Sequence, residues 1–465
     1  MSRRGRWTSA ILRAPYPIRL AAANLYGWRL ARRRFAGSYR RIFEALEASQ
    51  WRSPQALRAD QETRLRSLIG HAYTQVPYYQ QVMRERDLRP RDLETVEDLK
   101  KLPLLTKEIL NDRFDDLRAR DAASRRSELH RTSGTTGVQL RGFLLPFDLR
   151  WPRNHADLYR AYRWAGFERG MRRATVAGRW FTLRAPYTLL NHAEHQLLVS
   201  AHHLDDGTLP SIVRALDAHH PEAVQGHPSA LTTIARYLVG RGQTLPARCV
   251  LTTGEQLFED QRRLLETAFA CEVFDGWGQG EAVGRAYECD RHDGYHFSSE
   301  FAIAEIEPFG DGPEGVGEIV ATSLHNDVMP FIRYRTGDLA AWADGPCSCG
   351  RGLLLLRDLS GRIDDAIEDP AGRRILPVSI RTRLASVDGL ESYQLIQRLD
   401  GYEFRVVLEP EAPSGTVDNA GEALAELFGD EARIEIRAVE EIPRTSGGKT
   451  RLVHDARGER EGRGP

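Results

Sequence analysis

The chain has 465 residues, more than one hydrophobic core ordinarily organises, so we expect two or three domains. Its 65 basic and 65 acidic residues cancel, and this balance argues against a general nucleic-acid binder. Five cysteines are too few for a disulfide scaffold and no apolar run is long enough for a membrane span, so we expect a cytoplasmic protein without a transmembrane helix.

The first 43 residues contain eleven arginines and no acidic residue, with apolar side chains such as Trp7, Leu20 and Trp28 between them. Three interpretations fit this pattern: a helix lying on anionic lipid or another acidic partner, a targeting segment, or a helix packed on the body with a solvated arginine face. Pro15 and Pro17 argue against a long continuous helix, and this favours the third interpretation, a helix packed on the body. We place a basic N-terminal helical segment at residues 1–69.

Helical spacing of apolar residues predicts several helices over residues 40–120, with Pro77 early in one of them. From about 127 to 360, short β-like runs alternate with helical ones, which predicts an α/β fold with a sheet covered by helices. We place a large domain at residues 70–360. Its predicted strands are FLLPF, ATVAG, LLVSAHHL, CVLTTG, EVFDGWG, FAIAEIE and GEIVATSL, and its predicted helices are SIVRALDAH, SALTTIARYLV and EDQRRLLETAF.

Near residue 361 the pattern changes to a smaller α+β unit, which we place at residues 361–455 and expect to form a separate lid. Its predicted strands are YQLIQRL, YEFRVVLE and ARIEIRAV, with a helix over DNAGEALAELFG. Residues 456–465 are rich in Gly, Arg and Glu, which predicts a disordered tail.

The segment Arg131-Thr132-Ser133-Gly134-Thr135-Thr136-Gly137 combines two glycines with hydroxyl side chains. Glycines let backbone N–H groups approach phosphate closely, and hydroxyls add donors for its oxygens. A Walker A loop would need a lysine after a later glycine, whereas Val138-Gln139 follow here and GVQLRGFLLPF reads as a strand. The segment predicts either a phosphate loop between strands or a polar hairpin turn, and it argues against a P-loop kinase.

Five further motifs follow in a fixed order, and each of them alone could be an ordinary loop or turn. They are Thr253-Gly254-Glu255, Asp275-Gly276-Trp277-Gly278-Gln279-Gly280-Glu281, Tyr334-Arg335-Thr336-Gly337-Asp338, Gly361-Arg362-Ile363-Asp364-Asp365 and Pro443-Arg444-Thr445-Ser446-Gly447-Gly448-Lys449. Together they resemble the acyl-adenylate-forming superfamily over about residues 70–453. YTQVPYYQQVM, GHPSAL and the C-x-C-G-R segment make the chain similar to its phenylacetate–CoA ligase-like and capsule-biosynthesis-like group.

The resemblance implies a large N-terminal domain of layered sheets and helices with a smaller mobile lid, and it implies ATP and Mg²⁺ as ligands. Gly254 and Glu255 would border the adenine, Asp338 would accept hydrogen bonds from the ribose, and Glu281 would bind Mg²⁺. Asp364 would be the hinge of the lid. The implied nucleotide-binding set is Ser133, Gly134, Thr135, Thr136, Gly137, Gly254, Glu255, Asp275, Trp277, Gly278, Asp338 and Arg362.

The implied reaction is attack of a carboxylate on the α-phosphate of ATP, which gives acyl-AMP and pyrophosphate. Lys449, with Glu281 and Thr136, would be catalytic. Lys449 is the only lysine after Lys107 in an arginine-rich chain, and a compact ammonium suits two approaching anions.

The acid would be aromatic, with His227 and Trp277 as pocket residues, and Trp277 stands where the superfamily commonly has Tyr. CoA would be the acceptor. A carrier-protein thiol or an amine is an alternative acceptor. A non-catalytic nucleotide-binding homologue is an alternative function.

Two cysteine-containing segments suggest a metal site. Cys289 and His296 lie in CDRHDGYH, and Cys347-Ser-Cys349 begins 58 residues after Cys289. Three sulfurs and one imidazole would make a closed tetrahedral Zn²⁺ site, with His292 as an alternative to His296. Zinc sites at similar positions occur in phenylacetate–CoA ligase-like proteins. The other interpretation is a set of thiols beside two solvated histidines.

Overall fold

The computed structural model describes residues 10–130, 140, 142–178, 180–308, 315–357, 359–409, 411–429, 431–445 and 450–457. Two predicted elements of the site therefore lie outside the described residues: the phosphate-loop residues 131–137 and Lys449. Most of the predicted tail, residues 458–465, lies outside them as well.

The N-terminal part is helical over most of its described residues, and its longer helices are α1 (Tyr16–Phe35), α2 (Tyr39–Ser49), α3 (Pro54–Gln75) and α4 (Pro77–Glu85). The expected break occurs at Pro15, since residues 10–13 are helical and α1 begins after it at Tyr16, but Pro17 does not interrupt α1, which runs for 20 residues. Pro15 precedes the helix and Pro17 lies in its first turn, where backbone N–H groups have no intrahelical acceptor to lose. No break marks residues 69 and 70, because α3 crosses them, so the division there stays a prediction.

Two short antiparallel strands, β1 (Ser127–His130) and β2 (Phe143–Pro146), flank the segment predicted to bind phosphate. The strand predicted over FLLPF is β2, and the structure places the segment between two strands rather than between a strand and a helix. This arrangement agrees with the argument against a Walker A loop.

Twelve of the described strands form one mixed sheet in the order β11-β12-β13-β14-β10-β9-β8-β7-β6-β3-β5-β4. Strands β8, β7, β6, β3 and β5 are parallel neighbours, which require long crossovers. The strands are β3 (Arg173–Ala177), β4 (Thr188–Asn191), β5 (Gln196–Ser200), β6 (Ala223–Gly226), β7 (Cys249–Thr253), β8 (Val273–Gly278), β9 (Arg285–Glu288), β10 (Tyr295–Phe297), β11 (Ala302–Pro308), β12 (Gly317–Ser323), β13 (Tyr334–Trp342) and β14 (Leu355–Arg357).

Three helices supply the crossovers between β5, β6, β7 and β8, and they were all predicted from the sequence. Their apolar faces pack on the parallel strands in one core cluster, in which Leu216, Ile234 and Leu265 are fully buried. Because parallel strands run the same way, the segments after β6, β7 and β8 meet at one edge of the sheet. The helices of this middle part are α5 (Lys107–Asp112), α6 (Phe114–Leu117), α7 (Asn154–Trp164), α8 (Leu209–His219), α9 (Pro228–Val239) and α10 (Glu259–Phe269).

The C-terminal part has its own sheet and its own core, which confirms a smaller α+β unit after the large one. Its main sheet has the order β19-β18-β17-β20, and Phe404 and Leu424 are buried between the sheet and helix α12. The elements are β15 (Ile367–Glu368), β16 (Arg374–Ile375), α11 (Pro377–Leu384), β17 (Leu390–Arg398), β18 (Gly401–Leu408), α12 (Thr416–Phe428), β19 (Ile434–Ala438) and β20 (Val453–Asp455).

Candidate active site

A cavity of about 2080 Å³ lies between the edge where β7 and β8 end and the C-terminal unit. Its wall includes residues from β8, β13, α9, α11, β17 and the segment before β20. The structure therefore brings together motifs that are far apart in the sequence. The predicted site residues on its wall are Gly254, Glu255, Asp275, Trp277, Gly278, Glu281, Asp338 and Arg362.

Asp338 is held in one orientation within β13. The Trp277 indole N–H donates to its Oδ2 at 3.0 Å, and the Gln279 side-chain amide donates to the same oxygen. The Arg362 Nε atom lies 3.7 Å from Asp338 Oδ1. A carboxylate fixed in this way can accept hydrogen bonds from a ligand hydroxyl without first reorganising. Trp277 thus contributes a hydrogen bond as well as an aromatic ring.

Asp275 has a different environment, since it is a largely buried part of this wall. The Thr252 hydroxyl donates to its Oδ1 at 2.5 Å, and the Tyr295 hydroxyl donates to its Oδ2 at 3.0 Å. Burial raises the pKa of Asp275 to about 7. The adjacent Gly276 passes so close to Tyr287 that a Cβ would lie 2.7 Å from its ring, so only glycine fits there. These contacts fix the backbone that carries Trp277.

Glu281 follows β8 and is 5 % exposed. The Tyr334 hydroxyl donates to its Oε1 at 3.3 Å, and burial raises the pKa of this carboxyl group. A buried carboxylate on a cavity wall is a hard oxygen donor of the kind that Mg²⁺ prefers.

Glu255 joins the large sheet to the C-terminal unit. Its Oε2 accepts from the backbone N–H of Ser229 at 2.9 Å, and its Oε1 accepts from the Ser229 hydroxyl at 3.0 Å and from the backbone N–H of Thr450 at 3.2 Å. The Arg444 guanidinium donates to the Ser229 and Thr233 hydroxyls at 3.2 and 2.9 Å. The residue after Lys449 is therefore bonded at the cavity.

His227 lies outside the cavity wall, as far as the described residues form that wall. Its Nδ1 is 2.8 Å from the carbonyl oxygen of Thr253, a contact that holds the segments after β6 and β7 together. The assignment of His227 to a substrate pocket stays a prediction. The assignment of Asp364 as the hinge also stays a prediction. The Asp364 backbone lies in the short turn Ile363–Asp365.

Several residues of this site received no role from the sequence, among them Gln279, Ser229 and Arg444. Gln279 lies in the motif of residues 275–281, Arg444 lies in the motif of residues 443–449, and Ser229 lies in GHPSAL. Membership of a motif was the only signal in the sequence that pointed to these residues. Their hydrogen-bond partners could not be predicted, because residues such as Arg444 and Ser229 are 215 positions apart.

The four predicted zinc ligands also come together, away from the cavity. One ligand atom from each of Cys289, His296, Cys347 and Cys349 lies within 4.8 Å of the others. The Cys289 and Cys347 sulfurs are 3.6 Å apart, and the Cys349 sulfur is 3.4 Å from His296 Nε2. A tetrahedral zinc ion with bonds of about 2.3 Å to sulfur places two sulfurs about 3.8 Å apart, so these separations fit.

The backbone around the cluster is arranged as thiolates require. The N–H groups of Arg291, Cys349 and Arg351 donate to the sulfurs of Cys289, Cys347 and Cys349, at 3.4, 3.5 and 3.5 Å respectively. The alternative ligand His292 turns away, and its Nδ1 lies 3.4 Å from Glu288 Oε2. The structure thus selects His296 over His292.

Comparison with known proteins supplies the family. The CapK C-terminal domain family matches residues 367–456. The phenylacetate-coenzyme A ligase of Thermus thermophilus is 26% identical over 442 residues, which cover 87% of this chain and 97% of the relative. These matches support an AMP-forming ligase of the phenylacetate–CoA ligase-like group. Protein CapK of Staphylococcus aureus is a further relative, 21% identical over 84% of this chain and 88% of its own length.

A solved structure with a similar fold comes from the acyl-CoA ligases. It is 2-hydroxyisobutyryl-CoA ligase in the postadenylation state, in complex with R3-HIB-AMP. The two chains superpose with a TM-score of 0.67 at 20% identity, over 85% of this chain and 88% of the other. At this identity the likeness extends to the fold, with its large N-terminal part and smaller C-terminal part.

Proposed function

We propose that this AMP-forming ligase activates a carboxylic acid with ATP to give acyl-AMP and pyrophosphate, and then transfers the acyl group to the thiol of CoA. The observation that carries the proposal is the cavity where Asp338, Glu281 and the segment next to Lys449 converge. The names of the relatives support the same reaction class.

The roles of the residues follow from their positions. The Asp338 carboxylate, held by Trp277 and Gln279, accepts hydrogen bonds from the ribose hydroxyls. The ring of Trp277 offers a face to the adenine, and the backbone at Gly254, with φ +83°, borders it. The loop residues Ser133, Thr135 and Thr136 bind the outer phosphates; they lie outside the described residues, so this part rests on the sequence alone.

Mg²⁺ fits Glu281, a buried carboxylate on the cavity wall. When bound, it neutralises phosphate charge and so eases attack on the α-phosphate. Lys449 provides the second positive charge, between the attacking carboxylate and the phosphate. Its ammonium strengthens both contacts as negative charge develops on the phosphate oxygens. The bond from the acid oxygen to the α-phosphorus forms while the bond to pyrophosphate breaks.

We propose CoA as the acceptor because the relatives with printed activities are CoA ligases. The thiolate sulfur attacks the acyl carbon and AMP leaves with the carboxyl oxygen. An aromatic acid agrees with the phenylacetate ligases among the relatives and with Trp277 on the wall. To distinguish CoA from a carrier-protein thiol or an amine, each acceptor is offered to the same acyl-AMP. The true acceptor is the one that yields a stable acylated product.

We propose in addition that Cys289, His296, Cys347 and Cys349 hold a structural zinc ion. Support comes from ligand separations that suit a tetrahedron and from backbone N–H groups directed at all three sulfurs. Four protein ligands leave no open position, so the ion would stabilise the fold and take no part in the chemistry.

Acid-dependent exchange of pyrophosphate into ATP tests the main proposal. With a panel of aromatic, aryl-acetic and short aliphatic acids, we expect exchange with at least one aromatic acid and an acyl-CoA product, identified by mass spectrometry, when CoA is added. Measured ATP binding without exchange for any acid would favour a non-catalytic nucleotide-binding protein instead.

Replacing Glu255 by glutamine should slow adenylation about tenfold, because the charged partner of the Ser229 and Thr450 hydrogen bonds is lost. Transfer from a supplied synthetic acyl-adenylate to CoA should stay unchanged, because the proposed rotation of the lid about Asp364 would separate Glu255 from Thr450 for that step. Single-turnover rates of the two half-reactions provide the measurement.

Glu259→Gln is the matched control, since Glu259 contacts Arg263 on an exposed turn of α10. If Glu255 does no more than border the adenine, its replacement will raise KM for ATP and leave kcat unchanged. Equal slowing of both half-reactions would mean a general structural role.

A further inference from the structure

The outward face of α1 exposes large apolar side chains. Ile18, Leu25 and Trp28 are 55%, 54% and 50% exposed. Spacings of seven and three residues place the three side chains on one side of the helix. Single exposed apolar residues are ordinary in soluble proteins, but three on one helical face form a ridge.

The opposite face of α1 holds the helix firmly on the large unit. Arg19 is 2% exposed, and its guanidinium donates to the carbonyl oxygens of Arg184 and Ala185 at 2.8 and 2.9 Å. The Asn24 amide donates to the carbonyl oxygen of Leu190 at 2.8 Å. These contacts tie α1 to the large unit at two positions, so the ridge is a fixed surface of the folded protein and not the result of a loosely packed helix.

The charge around the ridge is positive. Arg29 and Arg32 lie on the same side of the helix, and the Arg32 guanidinium is 4.8 Å from the Trp28 ring. Two acids near the helix are already paired: Glu128 with Arg33 at 3.2 Å and Glu194 with Arg34 at 2.7 Å. The rest of residues 1–43 adds further arginines and no acidic residue.

We propose that this face of α1 docks on an anionic lipid bilayer. Aliphatic and indole side chains insert at the boundary between headgroups and acyl chains, while arginines beside them meet lipid phosphates. A nucleic acid would leave Ile18 and Leu25 without suitable contacts, because its backbone offers charge and no apolar surface. A second copy in a two-fold dimer would place the arginines of one α1 opposite those of the other.

Within the described residues no helix is both long and apolar enough to cross a bilayer, so the contact would be peripheral. Such a contact rests on apolar insertion and charge together, and it should weaken when either is removed or when salt is raised. A requirement for both apolar side chains and arginines distinguishes lipid docking from purely electrostatic adsorption through the arginines.

Flotation of the full-length protein with vesicles is the test. We expect binding to vesicles of phosphatidylcholine with about 30% phosphatidylglycerol and little binding to phosphatidylcholine alone. The triple variant Ile18→Ser, Leu25→Ser, Trp28→Ser and the double variant Arg29→Gln, Arg32→Gln should each reduce the partition coefficient at least about tenfold.

Leu399→Ser and Trp51→Ser are controls, because both residues are exposed and lie outside α1, and these variants should bind like the wild type. Pyrophosphate exchange and thermal unfolding check that each variant is folded. The proposal is overturned if the wild type binds neither vesicle or both equally, or if the ridge variant binds undiminished. Loss of a dimer in the ridge variant, without vesicle binding by the wild type, would assign the face to a second copy.

Discussion

Replacement of Lys449 by alanine should lower acid-dependent pyrophosphate exchange by roughly 10²–10³-fold, the usual cost of removing one preorganised charge-stabilising group. The carboxylate and the α-phosphate are both anionic, and the ammonium is the group placed to offset their repulsion. ATP binding should not change, because we propose that Asp338, Trp277 and the phosphate loop hold the nucleotide. Thermal unfolding should not change either. Equilibrium binding and exchange rates, measured on the same preparation, separate the two effects.

Lys449→Arg sharpens this test. Arginine keeps the charge but has a planar, wider head, so it should not restore more than a small part of the rate. Lys101→Ala is the matched control, since Lys101 contacts Asp98 on the surface. Should Lys449→Ala keep more than about a tenth of the wild-type exchange, the phosphate would have to be stabilised by other groups, and the proposed role of Lys449 would be wrong.

Elements with a regular apolar pattern were predictable from the sequence. The buried parallel strands read as continuous apolar runs, for example CVLTTG for β7, and the crossover helices showed the spacing of a helical face. Strand β13 was not predicted, although it contains the YRTGD motif, because its polar residues resemble a loop. In the structure these residues bond to partners on the neighbouring strand β12. The Thr336 hydroxyl donates to the carbonyl oxygen of Ile319, and Glu318 accepts from the Gly337 N–H.

The site could be predicted as a set of motifs but not as a set of contacts. Position and residue type pointed to Asp338 and Trp277, yet nothing in the sequence indicated that the indole donates to that carboxylate. The same is true of Glu255, whose partner Thr450 is 195 positions away. Such contacts depend on how the C-terminal unit packs on the sheet, and this is a property of tertiary structure.

The zinc prediction shows the same limit on a smaller scale. The sequence predicted Cys289, Cys347, Cys349 and His296 as ligands, but it left His292 open as an alternative to His296. Strand β10 pairs with β9 and β14 and places His296 beside Cys349, while His292 is turned toward Glu288. Strand register decided what spacing alone left open.

Chelation of zinc should release about one equivalent of metal and lower the thermal midpoint of unfolding by several degrees, because a structural ion binds the folded protein and hardly the unfolded chain. Cys349→Ser should give the same result without chelator. Its matched control is Cys271→Ser, since Cys271 is also a half-buried thiol but lies outside the cluster. Metal analysis of purified protein and thermal scans provide the measurements.

The loss should spread to the N-terminal helices. The loop that carries Cys347 and Cys349 continues to Gly352, whose N–H donates to the carbonyl oxygen of Gln50 at 2.8 Å. Gly352 passes so close to the chain that a Cβ there would lie 1.8 Å from the carbonyl oxygen of Arg52. Without the ion this loop loses its anchor, so protease cleavage between α2 and α3 should become faster. Less than half an equivalent of zinc in the wild type, or unchanged cleavage after chelation, would mean that packing alone holds the loop.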